Sequence, residues 1–124
     1  MVMQKKIHVL FVDDEKMICI MARDLFEFYG YEVSTYENSN MALEEFRGNP
    51  YFFDILVTDQ IMPELPGYDL SRRILEIRDN IPVILCTGFT EDSEELFENS
   101  IGIDAFFLKP YNFEELIDQI KELV

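Results

Sequence analysis

Basic side chains are scarce in this sequence: 10 lysines and arginines stand against 25 aspartates and glutamates, a formal charge of −15. Such a surplus repels nucleic acid and anionic membrane surfaces, so direct binding to either is not expected. Most of these carboxylates have the plain role of solvating helix faces. Cysteine is scarce too. Cys19 and Cys86 sit inside the apolar stretches MICIMA and PVILCTG with no metal-like spacing, so they read as buried thiols in a reducing compartment rather than as a disulfide. Linkers rich in proline, glycine or serine, low-complexity tracts and fixed-period repeats are missing. The apolar run at the amino end, IHVLFV, is too short for a signal peptide or a membrane span and leads straight into acidic residues. No membrane insertion is expected, and the predicted location is cytoplasmic.

What is present suits one globular domain. The 124 residues, 48% hydrophobic and 14% aromatic, match the ordinary size and composition of a single core, so one domain spanning 1–124 is expected. Apolar runs rich in β-branched and aromatic residues at 7–12, 31–36, 54–58, 82–87 and 104–108 predict five strands. Helical spacing falls between them: Met17, Ile20, Met21, Leu25 and Phe28; Met41, Ala42 and Phe46; Leu70, Ile74 and Ile77; and two further segments at roughly 91–100 and 113–123. Asn112 followed by Glu115 resembles a capping box, and Gly30 and Gly102 fall where helices should stop. Strict alternation of strand and helix predicts an α/β fold, a doubly wound (βα)5 unit with right-handed crossovers and a parallel five-stranded sheet between two helical layers. The three central runs are almost wholly apolar, as strands buried on both faces must be.

In such a sheet, ligands bind at the carboxyl ends of the strands. Asp13 and Asp14 follow the first strand, Asp59 follows the third, Thr87 ends the fourth and Lys109 ends the fifth. Alone, each has a plainer reading as a cap, a turn or a loop residue; together, at the ends of four strands, they define a site. Two carboxylates ~4 Å apart repel by about 4 kcal/mol at an effective dielectric of ~20, so three in one pocket call for a cation. Lys109 supplies one charge. Oxygen ligands suit a hard divalent ion, magnesium before manganese, and such an ion also bridges a phosphoryl group. A carboxylate can attack phosphorus to give an aspartyl phosphate once the equatorial oxygens are neutralised, here by metal, Lys109 and the Thr87 hydroxyl. Asp59 is the better nucleophile, because adjacent Asp13 and Asp14 can share the metal while Asp59 faces them from mid-sheet.

The motifs FVDDE (11–15), TDQIMPELPG (58–67), ILCTGF (84–89) and FFLKP (106–110), in this order and across the whole chain, resemble the receiver domains of response regulators. The resemblance implies a flavodoxin-like, CheY-like strand order 2-1-3-4-5. It implies phosphorylation of Asp59 by a sensor histidine kinase or a histidine phosphotransfer domain. It also implies metal binding by Asp14, Asp59 and the Ile61 backbone carbonyl, with Asp13 acting largely through water. Thr87 and Lys109 would touch the phosphoryl oxygens, and Thr87 and Phe106 would form the switch. Met62, Pro63, Gly67 and Pro110 would shape the loops, Pro110 after a peptide that is often cis in the family. A downstream protein would dock on the face of the fourth predicted helix, fifth strand and fifth helix, and a phosphorylation-dependent homodimer is the further partner it admits. Residues 58–89 particularly resemble receivers fused to hybrid sensor kinases.

Two departures from the family stand out. Phe106 lacks the polar tip of the Tyr or His common at that switch position. Ile61 and Phe89, at the positions that tune water attack, are large and apolar, which predicts slow self-dephosphorylation. His8, on the first strand, lies away from the pocket and is not in the helical setting of a phosphodonor. The expected protein is therefore a switch rather than an enzyme. A magnesium-dependent phosphohydrolase of the haloacid-dehalogenase type is the alternative, but its DxD pair is replaced here by Asp13-Asp14-Glu15 and no length remains for a cap domain. A flavin carrier would need a phosphate-binding loop where the acidic pair stands.

Overall fold

The computed structural model describes residues 6–88 and 100–124. Five parallel strands, β1 (His8–Val12), β2 (Glu32–Tyr36), β3 (Ile55–Asp59), β4 (Val83–Gly88) and β5 (Ala105–Lys109), form one sheet in the order β2-β1-β3-β4-β5. Each lies within one residue of the run that predicted it. The described helices are α1 (Lys16–Phe28), α2 (Ser39–Gly48), α3 (Gly67–Ile77) and α4 (Phe113–Leu123). The helix expected at 91–100 falls on residues that, apart from Ser100, lie outside the described ones.

Alternation within the strands feeds two cores. Val9, Phe11, Ile55, Val57, Ile84 and Cys86 face α1 and α4. Leu10, Val12, Leu56 and Val83 face α2 and α3. The central strands are buried on both sides, while β2 and β5 are only partly covered, as expected of strands whose outer edges have no partner. Asn112 Oδ1 accepts from the amides of Glu114 (2.8 Å) and Glu115 (3.4 Å) and so starts α4. Asn38 does the same for α2, an N-cap the sequence reading overlooked. Gly30 closes α1 at φ +89°, a conformation that favours glycine.

The inward face of α1 differs from the expected one. Cys19, Ala22 and Phe26 pack on the sheet, whereas Met17 (72% exposed) and Phe28 (81%) point to solvent, with Ile20 and Met21 also exposed. Helix α1 carries two apolar stripes, and the stripe with the small residues Cys19 and Ala22 can lie closer to the strands. The bulkier stripe is left on the surface. Met41 and Ile77 are likewise exposed, while Ala42, Phe46, Leu70 and Ile74 are buried as predicted. Both cysteines are free and buried, and burial pushes the Cys19 thiol up to about 11 and the Cys86 thiol up to about 12.

Candidate functional site

Parallel strands deliver their carboxyl ends to a single edge, and there the acidic residues meet. Asp13, Asp14 and Asp59 each present a carboxylate oxygen within 4.8 Å of the others. Asp13 and Asp59 are buried and Asp14 is exposed. Lys109 reaches across from the end of β5, its Nζ 2.9 Å from Asp13 Oδ2 and 3.1 Å from Asp59 Oδ2. The loop below the carboxylates is held by backbone groups. Asp13 Oδ1 accepts from the Glu15 amide at 2.9 Å, the Asp13 amide donates to the Tyr36 carbonyl at 3.1 Å, and the Cys19 thiol donates to the Asp13 carbonyl at 3.2 Å.

The electrostatics follow from this packing. Burial raises the Asp59 carboxyl above its ordinary value; Lys109 pulls it down, and Asp13 and Asp14 push it up again. For Lys109, burial favours the neutral amine, but its hydrogen bond to Asp13 and the charges of Asp59 and Asp13 outweigh burial and raise its affinity for the proton. Among the described residues, three carboxylates face one ammonium in this well. All the donors are hard oxygens, a set that fits magnesium.

The other described candidates lie on β1, β4 and β5, in the loops after β3 and β5, and at the start of α3. Thr87 is buried at the end of β4, with its hydroxyl donating to the Gly88 carbonyl at 3.2 Å. Phe106 is half-buried on β5, in register with Leu85. Ile61 is 64% exposed, whereas Met62 is buried and Pro63 exposed. The Lys109–Pro110 peptide is cis. Phe89 lies outside the described residues. Gly67 opens α3. A Cβ there would overlap the Asp59 carbonyl oxygen and crowd Leu85 Cδ1 at 2.9 Å, so glycine is required by close packing of α3 on β3. His8 lies at the opposite end of β1, 2.7 Å from the Ser34 hydroxyl and 3.4 Å from Glu32.

Sequence reasoning missed two residues. Tyr111 packs between Phe107 and Phe113. Burial, then the charges of Cys86, Asp13 and Asp59, hold its hydroxyl protonated. Gln60, directly after Asp59, donates its amide to the Cys86 carbonyl at 2.7 Å and accepts from Tyr68 N at 2.8 Å through its side chain. Neither residue belongs to a motif of charged groups.

An open, doubly wound α/β sheet with an acidic well and a lysine at its carboxyl edge defines a class of metal-assisted phosphoryl-handling domains. The response regulator receiver domain profile matches residues 9–121. Response regulator SaeR of Staphylococcus epidermidis is 32% identical over 117 residues, covering 94% of this chain and 50% of that protein. The CheY-like receiver domain protein of Methanospirillum hungatei superposes with a TM-score of 0.86 at 28% identity, covering 95% of this chain and 93% of that one. The response regulator TrrA of Thermotoga maritima, in complex with magnesium and BeF, gives 0.83 at 29% identity, covering 95% and 99%. The chain belongs to the response regulator receiver family and is a receiver domain of a two-component system. It spans about half the length of the curated relatives it matches. Among the described residues, no helix is long and apolar enough to cross a membrane.

Proposed function

We propose that Asp59 is the phosphoacceptor of a reversible signalling switch and that one receiver domain spans residues 1–124. The observation that carries the reading is the meeting of Asp13, Asp14 and Asp59 within 4.8 Å, with Lys109 bridging two of them. Asp14, Asp59 and the Ile61 carbonyl would hold magnesium or manganese, with Asp13 acting largely through water. When bound, the ion supplies positive charge to the phosphoryl oxygens.

The chain's own groups do the rest. An Asp59 carboxylate oxygen attacks phosphorus of a phosphohistidine as the P–N bond breaks, and the freed imidazole keeps the bonding pair. Lys109 stays protonated and neutralises one equatorial oxygen. Thr87 would leave the Gly88 carbonyl for another oxygen, and Phe106 would fill the vacated space. Hydrolysis returns Asp59 and inorganic phosphate slowly, because Ile61 and Phe89 offer water no polar group.

The donor would be a sensor histidine kinase or a histidine phosphotransfer domain. The exposed stripe of Met17, Ile20 and Met21 begins on the first turn after Asp14, and a helical donor reaching Asp59 would cover it. Output would pass through the face containing β5 and α4, in a cytoplasmic setting, to a downstream protein or to a second phosphorylated copy. Incubation with acetyl phosphate and magnesium, then borohydride reduction and mass spectrometry, tests the assignment: the label belongs on Asp59 and vanishes in Asp59→Asn. Label on another aspartate of the unmutated chain overturns it, and many turnovers per minute would instead favour a phosphohydrolase.

A further inference from the structure

We propose that Gln60 is a positioning residue of the phosphoryl-transfer site, a clamp that fixes the end of β3 to the first turn of α3 and so sets the acceptor carboxylate against its neighbours. The proposal rests on the receiver reading of the site given above.

The first turn of any helix leaves amides without intrahelical partners. Helix α3 has Pro66 at its N-cap, and no side-chain cap comes from that position. Gln60 supplies what Pro66 lacks. Its Oε1 accepts from Tyr68 N at 2.8 Å, and its carbonyl accepts from Gly67 N at 3.0 Å. From the other direction, its own amide donates at 2.7 Å to the carbonyl of Cys86, the residue in register with Asp59. One residue therefore joins β3, β4 and α3 by three hydrogen bonds. The missing side chain of Gly67 lets α3 press directly on the Asp59 carbonyl, so little slack remains between acceptor and helix.

Gln60 flanks Asp59 on one side and Ile61 on the other, and both are proposed metal ligands. Loss of the Tyr68 bond would free the α3 amino end and let the 60–66 loop move relative to the carboxylates. A clamp of this kind acts on geometry, without touching the phosphoryl group.

The test compares the unmutated chain with Gln60→Met, which keeps length but loses the acceptor, and with Gln60→Glu, which keeps an acceptor oxygen. Magnesium affinity is read by calorimetric titration with and without beryllofluoride, alongside hydrogen exchange at the Tyr68 amide. Gln60→Met is expected to bind magnesium about five-fold more weakly, the worth of one hydrogen bond, with faster exchange at Tyr68. Gln60→Glu is expected to restore Tyr68 protection and to bind magnesium no more weakly than the unmutated chain. Gln60→Asn, which withdraws the acceptor by one methylene, carries the same expectation as Gln60→Met should that variant fold poorly. A purely structural role would lower the melting temperature and leave the folded chain's magnesium affinity unchanged; that result overturns the proposal, as does a Gln60→Glu chain as weak as Gln60→Met. Absence of magnesium binding in the unmutated chain sinks the proposed metal-assisted phosphoacceptor site itself.

Discussion

Replacing Asp59 with asparagine should make the metal-free protein more stable at neutral pH, although Asp59 sits in an ion pair. Within 4.8 Å and at an effective dielectric of ~20, two unit charges repel by about 3.5 kcal/mol or more. Asp13 imposes roughly that much on Asp59; exposed Asp14 imposes less, being screened by water. Against this stands the Lys109 attraction at 3.1 Å, about 5 kcal/mol by the same relation. The Coulomb contributions nearly cancel, and burial, the largest influence on Asp59, decides the sign. Asparagine removes the buried charge and still leaves Lys109 its 2.9 Å contact with Asp13, so no ammonium is orphaned. A net gain of about 1–3 kcal/mol is expected once the effects are combined.

Urea unfolding in chelator at pH 7 reads this as a midpoint about 1 M higher for Asp59→Asn, given m-values of ~1–3 kcal/mol/M. The folded state holds the Asp59 proton more tightly than the unfolded chain, whose ordinary value is 3.8. Stability therefore falls as pH rises from that value through the folded one. The advantage of the variant should be full above this window, shrink within it and vanish below 3.8. Saturating magnesium should erase or reverse this advantage, since a ligand at ~100 times its Kd adds about 2.7 kcal/mol to the chain that binds it. An Asp59→Asn protein less stable than its parent at pH 7 in chelator would show that the Lys109 attraction outweighs the burial of Asp59.

Lys109→Met should tighten magnesium binding by roughly ten-fold or more, because it removes a competing cation from the carboxylates, while slowing labelling by acetyl phosphate; weaker binding in titration would contradict the proposed charge balance. Gly67→Ala should destabilise by about 1–3 kcal/mol through overpacking against the Asp59 carbonyl, and an unchanged urea midpoint would show that the contact yields freely. Glu64, the non-glycine residue with a described positive φ (68°), should accept glycine with a gain of up to ~1 kcal/mol, once relief of the left-handed conformation is set against chain entropy. Ile61→Asn combined with Phe89→Glu should speed phosphoryl loss; an equal or slower rate would end the account of apolar cover.

Strands and carboxylates were legible because each carries a local signature. A β-branched run ends in an acidic residue at Val12–Asp13 and again at Thr58–Asp59, and a parallel sheet brings such ends together whatever the helices do. The face of α1 was not legible for the opposite reason. Two stripes share the 3.6-residue period, and only the closeness of the sheet selects Cys19 and Ala22 over Met17 and Met21. Gly67 shows a third case: the glycine is visible in the sequence, but its cause is a carbonyl eight residues earlier that only the fold places beside it. Gln60 left no signal, since a neutral amide after an aspartate is unremarkable until its partners are known.

The unfavourable charge and the tight packing fall on the same few residues. Asp59 carries the cost of burial, and Gly67 admits α3 onto its backbone, so this carboxylate is held stiffly in an environment that disfavours its own ionised form. Such a site gains most from ligands that bring positive charge, and its stability must respond to metal more strongly than that of a carboxylate at the surface. A phosphoryl group would then be sensed through two routes with separate hardware: charge through Lys109, which already bridges Asp13 and Asp59, and shape through Thr87 on β4, whose hydroxyl rests on Gly88. Because Gln60 ties β3 to β4 at the Cys86 carbonyl, one residue before Thr87, movement at either strand end would be felt at the other.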